Sequence, residues 1–462
     1  MIDEWSDLRM KPHLGVVVLY YSTKFSKIIT RFLSIIELEE VNSDGIFSKL
    51  EEVLLDFGLD YKSMIGYGSD GAAVVSGCNN SVWTRLLTKN SNLIRFTCVC
   101  HSLAKIAEEA FSELPSRMSA ILKMVPKWFK KSDKRKKEYT ALFESMESLT
   151  QTSKPFEKYA ETRWLSRGKV IKTLLNNWDV LIAYFEKIMP SLKRELKFNA
   201  SVILESLYDL EQKKLFIFCL PIVENLETKN LLFQSDFTDP LTVVEEINFM
   251  KNSFYRRIFD TTGNLLPIER IDFGTKFEES KPSLSTKSRA LNFIKTAFEE
   301  LSKRSSNSLE TVKRIEFLKP SIVLNTSNRP LFSSFPVNEM KTDQAEEEYR
   351  QLVDYRWQEF CETPINQIST TQFWINVEKH DRFKNLGKYM LSLMILPLSN
   401  ASTERIFSLC GAIKTKSRNR LIISTLDSLV TVRSYVSETK KCCYDLNITN
   451  SMLENFNLSI YK

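Results

Sequence analysis

This chain of 462 residues is poor in the residues that break regular structure: 12 glycines and 14 prolines. So few turn-formers argue against a sandwich or barrel of many short strands and favour long helices. Only three histidines are present, His13, His101 and His380, which leaves little material for imidazole-based metal sites. No run approaches about 18 uninterrupted apolar residues, so the sequence supplies no membrane-spanning helix. The eight cysteines (78, 98, 100, 219, 361, 410, 442 and 443) are irregularly spaced and fall mostly within apolar periodic segments. With no signal peptide at the start, they read as reduced thiols of an intracellular protein. What is present is ordinary globular material, 43% hydrophobic and 26% charged, with room for about three domains or one domain carrying an insertion. The net charge of +7 permits nucleic-acid binding without establishing it.

The first hundred residues alternate strand-like and helix-like patterns. Leu14-Gly-Val-Val-Val-Leu-Tyr-Tyr-Ser22 has the composition of a buried strand, and Phe32 to Leu38 is a second β-leaning run. Phe47, Leu50, Val53, Leu54 and Phe57 recur at helical spacing until Gly58. A short strand follows at Met64–Asp70, then a helix near 80–88, a β-leaning run from Leu93 to Val99, and a helix over roughly 102–112. This order predicts a sheet with crossover helices. From 115 to 260 the pattern is almost purely helical. Residues 261–345 are rich in serine and proline and read as poorly ordered loops around one amphipathic stretch near 286–304. Helices return from 346 to 440, ahead of a polar tail.

Several residues stand out as chemistry-bearing, each with a plainer alternative. Asp70 ends an apolar strand between Gly68 and Gly71 and suits the approach of a phosphate or metal, or simply caps the next helix. Cys98 and His101 lack a second ligand pair at zinc-finger spacing, so local packing at a strand-to-helix junction is the better reading. Lys127 to Lys137 holds seven basic residues, among them Lys130, Lys131, Lys134 and Arg135, beside Trp128 and Phe129. Such a run fits a phosphate backbone, a solvated helix face or a nuclear-import patch. Glu161-Thr-Arg163-Trp164-Leu-Ser-Arg167 sets a tryptophan among arginines, with nothing local to make it catalytic. Glu404 follows the small residues Ser399 to Thr403 and suits the first turn of a helix. Ser424-Thr-Leu-Asp427 resembles a capping box, and Leu426, Leu429 and Val430 then form an apolar core or dimer face.

Taken together these pieces resemble the hAT (hobo–Activator) transposase family. The resemblance rests on Ile2-Asp3-Glu4-Trp5-Ser6-Asp7, Gly68-Ser69-Asp70-Gly71, Cys98 with His101, Arg163-Trp164, and above all Ala401-Ser-Thr-Glu404-Arg-Ile-Phe407-Ser408 with Gly411 and Arg418-Asn-Arg-Leu421. Trp83 to Leu87 resembles the domesticated, host-gene-like members. The resemblance implies an RNase H-like mixed α/β sheet interrupted by a large all-helical insertion and closed by a C-terminal helical dimerisation region. It divides the chain into core (1–112), insertion (113–345), returning core with dimerisation region (346–440) and tail (441–462). It implies that Asp3, Asp70 and Glu404 hold two Mg²⁺ ions, that Arg163, Trp164, Arg167, Lys130, Lys131, Lys134 and Arg135 meet DNA, and that Phe407, Leu426, Leu429 and Val430 serve dimerisation. The implied partners are DNA and further copies of the chain, with no membrane and no small-molecule substrate, in the nucleus. The family usually opens with a zinc finger of the BED type, and the abrupt start before the first strand reads as a missing upstream module. Two functions are open on this reading: a dimerising nuclear DNA- or protein-interaction module derived from a transposase, or an active Mg²⁺-dependent transposase core that cleaves and joins DNA.

Overall fold

The structure, a computed structural model, describes residues 1–146, 167–235, 239–335, 341–439, 442–445 and 447–454. In chain order the principal elements are β1 (Ile2–Ser6), β2 (Pro12–Ser22), β3 (Lys27–Glu37), α1 (Ser43–Asp56), β4 (Gly66–Ser69), α2 (Val82–Lys89) and β5 (Ile94–Thr97). There follow α3 (Val99–Ser112), α4 (Ser116–Lys130), α5 (Asp133–Met146), α6 (Arg167–Asn176), α7 (Trp178–Ile188), α8 (Arg194–Tyr208), α9 (Leu210–Phe233), α10 (Pro240–Ile258) and α11 (Leu284–Glu316). The last five are α12 (Asp343–Gln351), α13 (Thr370–Lys379), α14 (Lys384–Met394), α15 (Ala401–Ile413) and α16 (Ile423–Thr439). They fall into two compact units, Met1–Phe96 with Val337–Leu352 and Thr371–Lys462, and Thr97–Pro336 with Val353–Thr370.

The first unit is built on the antiparallel sheet β1-β2-β3, with β4 and β5 paired separately and β4 lying alongside β1. Both faces of the three-stranded sheet are covered. Ile2, Leu14, Val16 and Leu33 point into a core with Ile46, Leu50 and Val53 of α1 and Val82 and Leu86 of α2. On the opposite face, Phe32 and Ile35 meet Cys410 and Ile413 of α15 and Leu426 and Val430 of α16. Two buried faces explain why β2 and β3 read as nearly continuous apolar runs instead of alternating ones.

α16 departs from the sequence reading. Its helix begins at Ile423, so Ser424 lies within the first turn and caps nothing. The Asp427 carboxylate turns instead to the sheet edge, accepting the Ile35 backbone N–H at 2.7 Å and the Ser34 hydroxyl at 3.0 Å. It thereby occupies a donor that β3, an edge strand, would otherwise present unpaired. Burial raises the pKa of Asp427, and these two donors act against that rise. Leu426 and Val430, expected on a dimer face, are fully buried within the chain. The apolar side chains that α16 leaves outward are others, notably Val432 and Tyr435.

Among its described residues the second unit is helical, with an isolated bridge between Phe259 and Leu265. Its spine is α9, against which α3, α6 and α11 pack. The segment expected to be poorly ordered contains the 33-residue helix α11, which begins at a Ser283 cap and packs along α3 and α10 through Ala290, Phe293, Ile294, Ala297 and Leu301. Serine and proline in that stretch mark caps and connections around a helix longer than the amphipathic stretch suggested.

Truncation separates the two faces of α16. Leu426→Ala is expected to lower the unfolding free energy by about 2–5 kcal/mol, and Val432→Ala to change it by no more than about 0.5 kcal/mol. Urea denaturation followed by circular dichroism measures both, and equal effects would contradict this packing.

Candidate functional site

β1 presents Asp3 on the same sheet face as Trp5, because alternate residues of a strand share a face. Directly across from Asp3 on β2 is Gly15. A Cβ at Gly15 would lie 2.6 Å from Phe407 Cε1 and 3.2 Å from Thr403 Cγ2. Only hydrogen at this position lets α15 lie flush on the strands. That approach brings the half-buried carboxylates of Asp3 and Glu404, from opposite ends of the chain, to within 4.8 Å of each other.

The start of α15 is pinned to both acid-bearing strands. Asn400, fully buried, donates from Nδ2 to the Ile2 carbonyl at 3.0 Å. Pro397 lies against β4, where a Cβ at Gly66 or Gly68 would each come within 2.8 Å of it. These glycines thus bring the strand that ends at Asp70 close to the segment leading into Glu404. Asp70 is half-buried and its Oδ1 accepts the Ala72 N–H at 3.1 Å, while its carbonyl accepts the Ser69 and Ser76 hydroxyls. It does not come within 4.8 Å of both other acids. Its charge is felt at Glu4, whose pKa is raised by burial first and by Asp70 second. Both of the plainer readings of Asp70 and Glu404 also hold in part: Asp70 supports a turn, and Glu404 sits in the first turn of its helix.

At the other end of the β1–α15 contact, Asp7 and Lys414 form an ion pair at 2.7 Å with side chains 0% and 6% exposed. Burial by itself raises the Asp7 pKa, but the Lys414 ammonium and the backbone N–H groups of Lys11 and Arg9 hold the carboxyl below its ordinary range. His13, fully buried beside them, bonds through Nδ1 to the Lys11 carbonyl at 2.9 Å and lies 5.3 Å from the Trp5 ring. Burial lowers its pKa. Neither Asp7, Lys414 nor Gly15 was singled out by the sequence reading. A lone glycine inside an apolar strand is the one signal that pointed there.

The remaining candidates scatter. Arg163 and Trp164 lie outside the described residues. Arg167 is buried, its guanidinium 5.3 Å from the Phe111 ring centroid, and the next residue, Gly168, donates its N–H to Glu227 at 2.7 Å. Arg135 stacks on Trp128 at 4.0 Å and donates to the Trp128 carbonyl, so it serves packing. Lys130, Lys131 and Lys134 are exposed at the corner between α4 and α5. Cys98 is buried immediately ahead of α3, and His101 is half-buried in that helix. Phe407 is half-buried, stacked on Trp5 at 6.1 Å and 13°, and Leu429 is half-buried at the edge of the α15–α16 core. Phe407 therefore works in docking α15 within the chain.

Residues 1–81 match the model of the RNase-like domain named for ZMYM1/FAM200, and residues 347–436 match that of the hAT family C-terminal dimerisation region. A General transcription factor II-I repeat domain-containing protein 2 from Bos taurus is 22% identical over 204 residues, 42% of this chain and 21% of that protein. The aligned stretch thus spans about a fifth of that relative's length. The two matched regions are the same two ends of the chain that join at β1 and α15, and together they support a hAT-family, transposase-derived protein.

Proposed function

We propose that this protein is a self-associating nuclear DNA-binding protein whose RNase H-like core binds a divalent cation through Asp3 and Glu404, with Asp70 at its margin. The observation that carries this reading is the approach of the two carboxylates to within 4.8 Å. The two carboxylates offer hard oxygen donors, the kind that Mg²⁺ and Mn²⁺ accept. At the margin of the pair the charge of Asp70, second to burial, raises the Glu4 pKa. When bound, such a cation supplies Lewis-acid chemistry toward water and phosphate oxygens. Asp3 and Glu404 would hold it; the place of Asp70 outside the closest pair favours binding over cleavage as the working activity.

The DNA contact is assigned to the α4–α5 corner. Lys127, Lys130, Lys131, Lys134, Lys136 and Lys137 are exposed there, with Asp133 paired to Lys136 and Glu138 lying 3.9 Å from Lys134. Self-association is assigned to the outward stripe of α16, where Val432 and Tyr435 follow half-buried Leu429 at helical spacing. No helix among the described residues is long and apolar enough to cross a membrane. A fluorescent fusion of the full chain that stays outside the nucleus would remove the nuclear assignment.

Mn²⁺ binding read by electron paramagnetic resonance tests the cation site. Wild type is expected to bind, and Glu404→Gln and Asp3→Asn to weaken binding at least about tenfold with the fold intact; unaltered binding in both variants would refute the site. Sedimentation with a labelled DNA duplex tests the other two assignments together. Lys130→Ala/Lys131→Ala/Lys134→Ala is expected to weaken binding and to flatten its log–log salt dependence by about one for each phosphate that is no longer neutralised. Val432→Glu is expected to yield single chains with unchanged circular dichroism. A salt slope equal to wild type counts against the corner, and an undiminished mass counts against the stripe.

A further inference from the structure

We infer that the buried Asp7–Lys414 ion pair is a positioning device that sets where α15 lies along β1 and, through it, the gap between Asp3 and Glu404. This inference rests on the reading of those two acids as a cation site.

The contact between the strand and the helix has three rungs. Asp3, Trp5 and Asp7 alternate along β1 and its immediate extension, so they share one face. Glu404, Phe407, Gly411 and Lys414 follow one another at intervals of three, four and three residues, the spacing of one helical stripe. Asp3 meets Glu404, Trp5 stacks on Phe407 at 6.1 Å, and Asp7 binds Lys414 at 2.7 Å. The rungs keep step because the lengths agree. From Asp3 to Asp7 the strand covers roughly 13 Å, and from Glu404 to Lys414 the helix covers roughly 15 Å.

The three rungs do not constrain the helix equally. The middle one is an aromatic stack, which tolerates sliding of the rings. The acid pair is repulsive when both groups are charged. The third rung is different. Asp7 Oδ1 accepts the N–H groups of Arg9 at 2.8 Å and Lys11 at 3.0 Å, which fixes the carboxylate and aims Oδ2 at Lys414. Lys414 is the residue at which α15 ends. A one-turn or half-turn slip of α15 would leave both charges buried and unpaired, a heavily penalised state. Within the stripe a Cβ at Gly411 would meet no atom within 4 Å, while the neighbouring Cys410 and Ile413 pack against Phe32 and Ile35 of β3. Gly15 sets how close α15 comes to the sheet, and Asp7–Lys414 sets its position along the strand.

Single neutralisations would strand a buried charge, so the informative variant is the double one, Asp7→Asn/Lys414→Met, which removes both charges at similar volume. Lys414→Arg keeps the charge and serves as the rescue. Two readouts are needed. In the first, Mn²⁺ affinity is measured on the full chain. Wild type and Lys414→Arg are expected to bind alike, while the double variant, folded by circular dichroism, binds about tenfold more weakly or worse. The second needs no metal. Asp3→Cys/Glu404→Cys is cross-linked with a short bis-maleimide and the 3–404 link quantified by mass spectrometry. Its yield is expected to fall several-fold when Asp7→Asn/Lys414→Met is added and to persist with Lys414→Arg. Equal cross-link yield with and without the ion pair overturns the inference. Absence of Mn²⁺ binding by wild type would instead overturn the cation site, leaving the cross-link to decide the role of the pair.

Discussion

Everything distinctive in the first unit follows from one close approach, that of α15 onto β1 and β2 over Gly15. A side chain there would strike Phe407 and Thr403 and lift the helix from the sheet. Lifted, α15 would lose the Trp5–Phe407 stack, the Asp7–Lys414 pair and the nearness of Glu404 to Asp3. α16 depends on the same contact, because it packs beside α15 and over β3, closing its edge through Asp427. The chain thus stores half of its candidate site at each end, and a strand–helix contact joins the halves. Removing even one rung acts on stability and on the acids together, since the residues that hold the helix alternate with the one that bears chemistry.

Much of this was legible from residue order. β2, β3, α1, β4, α2, β5 and α3 all lie where apolar periodicity and glycine punctuation placed them, because each buries a complete face and so carries an unambiguous pattern. Asp3 and Glu404 were legible only through their neighbouring words, since nothing local says that residues so far apart in sequence meet. The same ignorance hid Asp7 and Lys414. An aspartate in a turn and a lysine at a helix end are ordinary surface residues until tertiary contact buries them against each other.

Several differences between residue pattern and structure share a physical origin. Leu426 and Val430 show that periodicity reports an apolar face and is silent about what covers it; here the chain's own β3 does so. Ser424-Thr-Leu-Asp427 has the letters of a capping box, but the vacant donor of a sheet edge competes for the Asp427 carboxylate and wins. Arg135 and Arg167 sit in basic or aromatic words that suggest nucleic acid, yet their guanidinium groups lie over Trp128 and Phe111. Planar cations serve aromatic packing as readily as they serve phosphate. The amphipathic stretch read near 286–304 holds Phe293, Ile294 and Ala297, but the serine-rich composition around it hid that the helix runs on to Glu316.

The central claim is that the two ends of the chain build one cation-binding centre. Iron-directed cleavage tests it most directly: Fe²⁺ is loaded in place of Mg²⁺, ascorbate and peroxide are added, and the new chain ends are mapped by mass spectrometry. The account predicts backbone cuts clustered near Asp3, near Glu404 and, at lower yield, near Asp70, all suppressed by Glu404→Gln. Cuts confined to one end of the chain, or unchanged by that substitution, would contradict it.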